Sequence, residues 1–480
     1  MDVTNLTIAD IVGGYKSKKF SVSEVVNSYL ERIEKLNPTL NAFITIDSDN
    51  AKKKALELDN SLTAEPVNTS PLFGVPFGIK DMFLTKGVRT TAASNVLRDY
   101  IPPYSSTVIN KLETSGAISL GKLNHDAWAH GASGENSDFG STKNPWNKEY
   151  VPGGSSSGSS ASVAADLVPF ATATDTGGST RQPASFTNTV GLKPTYGLVS
   201  RYGVVAMASS LDTMGHITHT VRESAQLLNI TQGSDGYDAT LAQREPTDYL
   251  KNVEKGIKGL RIGIPKEYLG EGLANQVREK FENSLKILES LGAEIVDVSL
   301  PHTEDGIATY YIIMSSEVSS NLARYDGIRF GNDRTHFGKE AKRRIMLGTF
   351  TLSSGYYDAY YKKAMQVRTL IKQDFDNVFK SVDAIVSPIS PTPPWKIGEK
   401  VSDPLAMYLS DIYTVSANLA GVPGLAVPAG FSRSASSGHG KLPIGIQFLG
   451  PHFSESLLFQ VGYAFEQETK FYLEKPELEY

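Results

Sequence analysis

Residues 153–161 read Gly-Gly-Ser-Ser-Ser-Gly-Ser-Ser-Ala, and residues 175–181 read Asp-Thr-Gly-Gly-Ser-Thr-Arg. Between these two Gly/Ser segments we expect a short helix of small residues, roughly 161–166, and an apolar strand, 168–173. A helix and a strand of this length form one compact unit, so the two segments can meet at one place. The chain has no cysteine, so covalent acyl chemistry would need a hydroxyl group, and both segments supply serines on Gly-rich backbone.

The composition is that of an ordinary globular protein: 480 residues, 40% hydrophobic, 21% charged, with a net charge of −5. The length alone favours about two to three domains, although large α/β enzymes often exceed that size as one unit. The negative net charge argues against a protein that binds nucleic acid by charge alone. We expect a cytoplasmic protein, or one of an organelle matrix if the source is eukaryotic. No secretory signal or long apolar run is visible, and the lack of cysteine fits a reducing compartment.

Periodicity predicts an N-terminal helical segment, 1–70, packed on a core formed by 71–480. Ser21 to Glu24 form a capping box that begins a helix, and Asn37-Pro38 is expected to end it. The core alternates strands and helices, which is typical of an α/β sheet. We expect an insertion around 235–380 and one structural domain overall.

Two longer units are predicted in and after that insertion. Residues 260–300 have the pattern of a βαβ unit whose helix stops at Gly292. Residues 358–379 predict one long helix, and 384–386 predict a strand directly after it.

Ser179 follows Gly177-Gly178 directly after the predicted strand. Glycines allow a sharp bend that turns successive N–H groups towards one point, which favours an oxyanion site. A plain Gly-Gly turn with a capping serine fits the same residues. The choice between these interpretations depends on whether the chain supplies a base for the serine.

A base for Ser179 is not evident among the eight histidines, because none lies in a recognisable triad and no Gly-x-Ser-x-Gly elbow is present. We interpret His125 and His130 as polar surface or core residues. Lys80 ends the apolar segment 74–79, where desolvation would lower its pKa from about 10.4 towards neutrality. Lys80 is therefore the better candidate, against the alternative of an exposed lysine at a strand end.

Three segments, 76–81, 153–159 and 175–184, resemble in order and spacing the three catalytic segments of the amidase signature family. The resemblance implies the α/β amidase-signature fold, a three-layer α/β/α structure with a large twisted mixed sheet. Position 157 departs from the family pattern, because Ser157 stands where glycine is usual.

The resemblance also implies a Ser-cisSer-Lys triad. Ser179 would be the nucleophile that forms an acyl ester, Ser155 the bridging serine entered through a cis peptide, and Lys80 the general base. The backbone N–H groups of Thr176, Gly177, Gly178 and Ser179 would form the oxyanion hole.

Within the family, four further segments resemble the glutamine-hydrolysing subunits of tRNA-dependent amidotransferases: 199–212, 320–327, 342–348 and 355–361. This resemblance covers about residues 5–478. It implies that the chain hydrolyses glutamine and passes ammonia to a partner, a B subunit, which uses ATP and Mg²⁺. The partner would convert Glu-tRNA(Gln), or in many organisms Asp-tRNA(Asn), and would make most of the tRNA contact. A small C-type subunit would complete a heterotrimer, and this chain would bind no cofactor, metal or membrane.

Glutamine carries a carboxylate and an ammonium, so its pocket needs an opposite charge for each. The resemblance implies Arg344 for the carboxylate, Asp411 for the ammonium and Tyr310 beside them. Arg343 is an alternative to Arg344. Purely structural interpretations also exist: a surface arginine in a basic run, and an N-cap or solvated aspartate.

Another departure from the family pattern lies between Phe330 and Phe337, where the chain is shorter than is usual in the family. We expect this change to remove a surface excursion and to leave the catalytic positions intact.

The main alternative function is a free-standing amidase that acts on a small or aryl amide with the same triad. Such an enzyme has no need of a charged pair at Arg344 and Asp411. A non-catalytic assembly subunit would require a broken triad, whereas all three positions are filled.

Overall fold

The computed structural model describes residues 3–64, 70–329, 331–433 and 441–478. Its helices in chain order are α1 (Ile8–Lys16), α2 (Val22–Leu40), α3 (Ser48–Ala64), α4 (Thr107–Thr114), α5 (Ser157–Ala164), α6 (Arg181–Thr187), α7 (Val221–Thr231), α8 (Asn275–Ser290), α9 (Gly306–Leu322), α10 (Lys339–Leu352), α11 (Lys363–Val378), α12 (Pro404–Tyr408), α13 (Val415–Ala420) and α14 (Glu455–Thr469). Its strands are β1 (Phe43–Ile46), β2 (Pro76–Lys80), β3 (Ile118–Leu123), β4 (Phe170–Asp175), β5 (Val190–Lys193), β6 (Thr213–Thr218), β7 (Arg261–Pro265), β8 (Glu294–Val298), β9 (Ala384–Pro388), β10 (Gly424–Arg433) and β11 (Lys441–Leu449).

The eleven strands found in the described ranges form one sheet in the order β1-β3-β2-β4-β6-β5-β10-β11-β9-β7-β8. Strand β2 runs parallel to β3 and β4, and β7 runs parallel to β8 and β9. The remaining neighbours are antiparallel. The predicted α/β class with a large mixed sheet is confirmed.

The centre of the sheet places the two Gly/Ser segments at one edge. Strands β2 and β4 are parallel neighbours, with Phe77 opposite Phe170 and their rings stacked at 5.2 Å between centroids. Their carboxyl ends, Lys80 and Asp175, therefore lie at the same edge. Both strands are buried along their whole length, so the turns after them start from a rigid base.

The N-terminal segment is not wholly helical, which corrects the sequence-based expectation. Residues 43–46 form β1, which pairs antiparallel with β3 at the edge of the sheet. The expected end of the second helix at Asn37-Pro38 is also wrong, because α2 continues to Leu40. Pro38 removes one backbone hydrogen bond from the last turn, and the burial of Leu40 compensates for this loss. The left-handed Asn41, with a φ of 50°, then ends the helix.

The region 235–380 adds strands to the same sheet. Strands β7 and β8 flank α8 as the predicted βαβ unit, and β7 pairs with β9. The predicted long helix begins with a π-helical turn, Asp358–Lys362, and continues as α11. Phe330, at the start of the shortened stretch, lies outside the described residues. Among the described helices, none combines the length and the hydrophobicity that crossing a bilayer requires.

Candidate active site

Lys80 is fully buried at the end of β2 and is surrounded by hydroxyl groups. Its Nζ lies 2.9 Å from Ser155 Oγ, 2.9 Å from Ser156 Oγ and 2.7 Å from Thr174 Oγ1. Burial lowers the pKa of Lys80 to about 7, although the charges of nearby buried carboxylates oppose this shift. A neutral amine donates two hydrogen bonds and accepts one, so Lys80 can accept a proton from one of these hydroxyls.

The first Gly/Ser segment is fixed on both sides of Ser155. The Gly154–Ser155 peptide bond is cis, in agreement with the resemblance, and the Gly154 N–H donates to Gln182 Oε1 at 2.9 Å. The Ser156 N–H donates to the backbone carbonyl of Ser179 at 3.1 Å. The two segments therefore meet as the sequence predicts, through this backbone contact.

Ser179 is only 8% exposed. Within the described part of the chain its hydroxyl forms no hydrogen bond, so the Ser155–Ser179 link of a proton relay is not made in this state. Catalytic hydrogen bonds are often long without substrate and tighten when substrate binds. The hydroxyl is therefore free to meet an incoming carbonyl.

A buried ion pair holds the turn that carries Ser179. Asp175 accepts two guanidinium hydrogen bonds from Arg181, each of 3.0 Å, and both side chains are fully buried. Asn418 Nδ2 donates to the same carboxylate at 3.0 Å. Arg181 and these donors hold the pKa of Asp175 well below its usual value, against the opposite effect of burial. A permanently charged pair of this kind fixes the geometry of the turn.

The candidate oxyanion amides differ from the expectation at one position. The Gly178 N–H donates to Asp175 Oδ1 at 2.9 Å, so it is already occupied. The N–H groups of Thr176, Gly177 and Ser179 have no hydrogen-bond partner among the described residues. Gly178 contributes its backbone shape instead, because its φ of +135° is one that other residues rarely adopt.

Two more buried carboxylates surround Lys80. Asp126 accepts N–H bonds from Gly134 and Asn136, and Asp212 accepts from Met207 and from the Thr176 hydroxyl at 2.7 Å. Burial raises the pKa of each carboxylate to about 6. Their negative charge favours the protonated form of Lys80 and so moderates the lowering of its pKa.

Tyr310 and Asp411 lie beside the Ser179 turn. A Cβ added at Gly177 would be 2.6 Å from the Tyr310 hydroxyl, so glycine is required for this approach. Thr414 Oγ1 contacts both the Gly177 carbonyl at 2.6 Å and the Asp411 carbonyl at 3.0 Å. Burial raises the pKa of the Asp411 carboxyl to about 7, opposed by the charge of Arg344.

Burial distinguishes Arg344 from Arg343. Arg344 is 3% exposed, and its guanidinium lies 5.5 Å from the ring centroid of Tyr311 and 5.9 Å from that of Tyr408. Its Nε donates to Glu340 at 2.9 Å. The side chain of Arg343 is 44% exposed and pairs with Glu340 at the surface. Tyr311 lies between the two proposed pocket residues, because its ring is 5.5 Å from the Arg344 guanidinium and its hydroxyl donates to the Asp411 carboxylate at 3.4 Å.

Ser157, the departure from the family pattern, is accommodated without strain. It begins α5 outside the left-handed region, and its hydroxyl donates to Thr142 Oγ1 at 3.2 Å. Gly158 is the residue with no room for a side chain, because an added Cβ would lie 2.5 Å from the Asn124 carbonyl oxygen. Serine at position 157 therefore leaves the segment intact.

Several supporting residues were not predicted from the sequence: Thr174, Asp126, Asp175, Arg181, Asp212, Tyr311, Tyr408 and Thr414. Asp175 and Arg181 had a local signal, since both residues stand inside the second Gly/Ser segment, and Asp212 ends the segment 199–212 that carries the family resemblance. Among the described residues no group of His, Cys, Asp and Glu side chains is arranged to hold a metal ion.

The site combines a buried amine of near-neutral pKa, three hydroxyls within hydrogen-bond distance of that amine, and a Gly-rich turn in which three amides have no partner among the described residues. These are the elements of hydroxyl-based acyl transfer. The amidase family model matches residues 24–459, and the chain belongs to this family.

Individual proteins that are similar to this chain indicate a narrower class than the family does. The chain is 52% identical over 478 residues to the A subunit of a glutamyl-tRNA(Gln) amidotransferase from Geobacillus sp. (strain WCH70), covering 96% of this chain and 97% of that protein. It is similar to the crystal structure of the A subunit of the glutamyl-tRNA(Gln) amidotransferase from Thermotoga maritima, with a TM-score of 0.84, 41% identity and coverage of 100% and 99%. A bacterial aryl acylamidase is also similar, with a TM-score of 0.85, 27% identity and 97% coverage of both chains.

Proposed function

We propose that this chain is the glutamine-hydrolysing subunit of a tRNA-dependent amidotransferase. The observation that carries the proposal is a buried guanidinium, Arg344, and a carboxyl, Asp411, both in contact with Tyr311, with Asp411 joined to the turn of Ser179 through Thr414. Glutamine needs one cation and one anion in its pocket, whereas a neutral amide needs neither. The two amidotransferase A subunits that are similar to this chain over its full length support the same function.

In the first half-reaction, Ser179 Oγ attacks the γ-carbonyl carbon of glutamine. The Ser179 proton passes to Ser155 Oγ, and the Ser155 proton passes to neutral Lys80. The N–H groups of Thr176, Gly177 and Ser179 stabilise the oxyanion, a contribution that reaches about 3–4 kcal/mol per donor in other enzymes. When the C–N bond breaks, Lys80 returns the proton through Ser155 to the departing nitrogen, which leaves as ammonia.

In the second half-reaction, water attacks the γ-glutamyl ester and gives its proton to the same relay. A second oxyanion forms on the same amides, the C–O bond to Ser179 breaks, and the hydroxyl regains its proton. The products are glutamate and one ammonia for each glutamine. All proton transfers are internal to the site, so no metal or cofactor is required of this chain.

The same proposal includes the use of the released ammonia by a partner subunit. A partner B subunit uses ATP and Mg²⁺ to convert Glu-tRNA(Gln) to Gln-tRNA(Gln), and a small C-type subunit completes a cytoplasmic heterotrimer. The tRNA is held mainly by the partner, because this chain has a net charge of −5 and lacks the positive net charge typical of nucleic-acid-binding domains.

The division of the chain into an N-terminal segment and one core with an insertion remains a prediction.

A free-standing amidase for a small or aryl amide is the second candidate, and the similarity to the aryl acylamidase favours it. The two functions differ at Asp411. In Asp411→Asn we expect the KM for glutamine to rise about tenfold or more, since a charge-assisted contact to the substrate ammonium is lost. The kcat should change less, because the triad is untouched.

The matched measurement uses a neutral substrate, a simple anilide, with the same variant. Unchanged KM for glutamine in Asp411→Asn would reject the pocket, and efficient hydrolysis of the anilide with no glutaminase activity would select the free-standing amidase.

Co-purification from the native source and a glutaminase assay with and without ATP and Glu-tRNA(Gln) test the assembly. A chain that purifies alone and is indifferent to both additions contradicts it.

A further inference from the structure

Glu340 lies in the first turn of α10, four residues before Arg344. It takes part neither in the proton relay nor in the glutamine contacts proposed above. Only 15% of its side chain is exposed. A mostly buried carboxylate needs partners that offset its lost hydration, so the contacts of Glu340 indicate what it does.

One oxygen of Glu340 joins Arg344 to Tyr408. Its Oε1 accepts from Arg344 Nε at 2.9 Å and from the Tyr408 hydroxyl at 3.0 Å. The other oxygen accepts from Arg343 at the surface. Burial by itself raises the pKa of Glu340, but the charge and the hydrogen bond of Arg344 keep that pKa below its usual value. Glu340 is therefore ionised at physiological pH and accepts all three contacts.

These contacts determine which edge of the Arg344 guanidinium is available. Nε is used by Glu340, and Nη1 lies 3.4 Å from the sulfur of Met314, a weak acceptor. Nη2 forms no hydrogen bond in the described part of the chain, and it is not one of the unpaired polar atoms that are closed to solvent. Nη2 is therefore the donor that remains for an anionic ligand.

The Tyr408 contact connects α10 with the segment that carries Asp411. Tyr408 ends α12, and Asp411 follows three residues later in a short turn. The Tyr408 ring stacks on Tyr311 at 4.0 Å between centroids, and the Tyr311 hydroxyl donates to the Asp411 carboxylate at 3.4 Å. Glu340 is thus linked to the acid of the proposed pocket through two tyrosines.

A soluble ligand can approach this group of side chains. Tyr311, Tyr408 and Asp411 are each partly exposed. The basic side keeps an excess of positive charge, because two guanidinium groups, Arg343 and Arg344, share one carboxylate. A positive edge and a separate acid are the two charges that a free amino acid requires.

We propose that Glu340 is a positioning residue for glutamine, which holds the Arg344 guanidinium so that Nη2 binds the substrate α-carboxylate. This inference rests on the proposed glutaminase function, in which Arg344 binds the carboxylate and Asp411 the ammonium. Glu340 acts through geometry and not through charge, since a carboxylate beside the guanidinium reduces the attraction for a second carboxylate.

The test separates position from charge by glutaminase kinetics in the co-purified complex. Glu340→Ala removes the acceptor and should raise the KM for glutamine about tenfold, although the pocket becomes more positive, while kcat stays within about threefold. Glu340→Gln keeps an oxygen that can accept from Arg344 and Tyr408, so its KM should stay within about threefold of the parent.

A second ligand identifies the chemical group. 4-Aminobutanamide is glutamine without its α-carboxylate, and its inhibition constant against glutamine hydrolysis measures its binding. Glu340→Ala should change this constant by less than about threefold, because no carboxylate contact is lost. A structural defect would instead weaken both ligands or lower kcat.

Asp376→Ala is the control for loss of an ion-pair carboxylate. Asp376 pairs with Lys372 at 2.5 Å on α11, and 42% of its side chain is exposed. It has no role in the proposed pocket. The variant should keep the parent KM for glutamine and the parent inhibition constant for 4-aminobutanamide.

Each outcome decides the question. A parent KM in Glu340→Ala overturns the positioning role alone, and so does equal weakening of both ligands. If Glu340→Gln weakens glutamine binding as much as Glu340→Ala, charge is what matters and the proposal is wrong. If the parent complex does not hydrolyse glutamine, the proposed function fails and this inference falls with it.

Glu340→Asp decides if Glu340→Ala does not fold. It keeps the charge in the first turn of the helix, where an acid is favourable, but its side chain is one methylene shorter. The KM for glutamine should again rise about tenfold, and a parent KM would contradict the proposal.

Discussion

At the scale of single residues, the proposed chemistry requires a neutral Lys80, and three hydroxyl oxygens lie within 2.9 Å of its Nζ. Desolvation favours the neutral amine, and three buried carboxylates, Asp126, Asp175 and Asp212, oppose it. The balance leaves a base whose pKa is close to the working pH, where proton transfer is most effective.

The pH dependence of kcat tests this balance. Only neutral Lys80 accepts a proton, so kcat at saturating glutamine should fall as the pH decreases through about 7 and should level above it. The Asp411 carboxyl also has a pKa of about 7 in the free enzyme, so its ionisation changes kcat/KM. In the bound complex the substrate ammonium keeps it ionised, so kcat reports Lys80.

The control is Lys80→Arg, in which the guanidinium remains protonated throughout the accessible pH range. This variant should be inactive at every pH and should not recover in alkaline buffer. A wild-type kcat that stays flat from about pH 6 to 8 contradicts the general-base role of Lys80.

At the scale of elements, two parallel strands and the turn after one of them create the site. Strand β2 delivers Lys80, and β4 delivers Asp175. The Asp175 carboxylate holds the following turn because it accepts from the Gly178 N–H and from the Arg181 guanidinium. Gly178 is the position in this turn that has no room for a side chain. An added Cβ would lie 2.8 Å from the Thr414 Cβ, at a φ of +135°.

Gly178→Ala should therefore lower both stability and glutaminase activity. The substitution combines backbone strain with a collision against Thr414, the residue that precedes α13, and together they should cost about 2–4 kcal/mol by thermal or denaturant unfolding. Displacement of the turn should reduce kcat by about 100-fold, because a misplacement near 1 Å at a catalytic group has that effect.

The matched control is Gly236→Ala. Gly236 also has a positive φ, +77°, but an added Cβ there has no neighbour within 4 Å among the described residues. It should show only the smaller strain effect, about 1 kcal/mol, with full activity. Equal losses of stability and activity in the two variants would show that crowding at Thr414 is irrelevant.

At the scale of the whole molecule, the proposed function separates ammonia release in this chain from ammonia use in a partner. Ser179→Ala in the purified complex should abolish glutamine-dependent amide formation on tRNA, by about 1,000-fold or more, since the nucleophile is lost. The same complex should still form the amide from ammonium chloride, because the partner's chemistry is intact. The measurement is Gln-tRNA(Gln) formed with each nitrogen source.

Ser157→Ala is the control serine for this experiment. Within the described ranges the Ser157 hydroxyl bonds Thr142 alone, and the Ser157 carbonyl accepts from Ser160 within α5. This variant should retain both activities within about threefold, because the substitution is small and lies outside the relay. Loss of ammonium-dependent activity in Ser179→Ala would show that the variant damages assembly rather than the nucleophile. Retention of glutamine-dependent activity would reject Ser179.

The sequence predicted those features that depend on short stretches of chain. The two Gly/Ser segments, the capping box at Ser21 and the strand ending at Lys80 all have local patterns. Expectations failed where packing overrode a local preference: α2 passes through Pro38 because Leu40 is buried, and residues 43–46 add a strand to the sheet edge. Local preferences of this size are smaller than the free energy of burying an apolar side chain.

The sequence by itself determined which residues are candidates for the proposed chemistry: Lys80, Ser155 and Ser179 stand in the motifs that carry the family resemblance, and these motifs meet at one edge of the sheet. Only the tertiary structure decided which groups complete the site. Arg344 rather than Arg343 is buried against Tyr311, and the Gly178 N–H is occupied by Asp175. The physical reason is that desolvation and hydrogen-bond pairing depend on contacts between residues far apart in the chain, which no local pattern records.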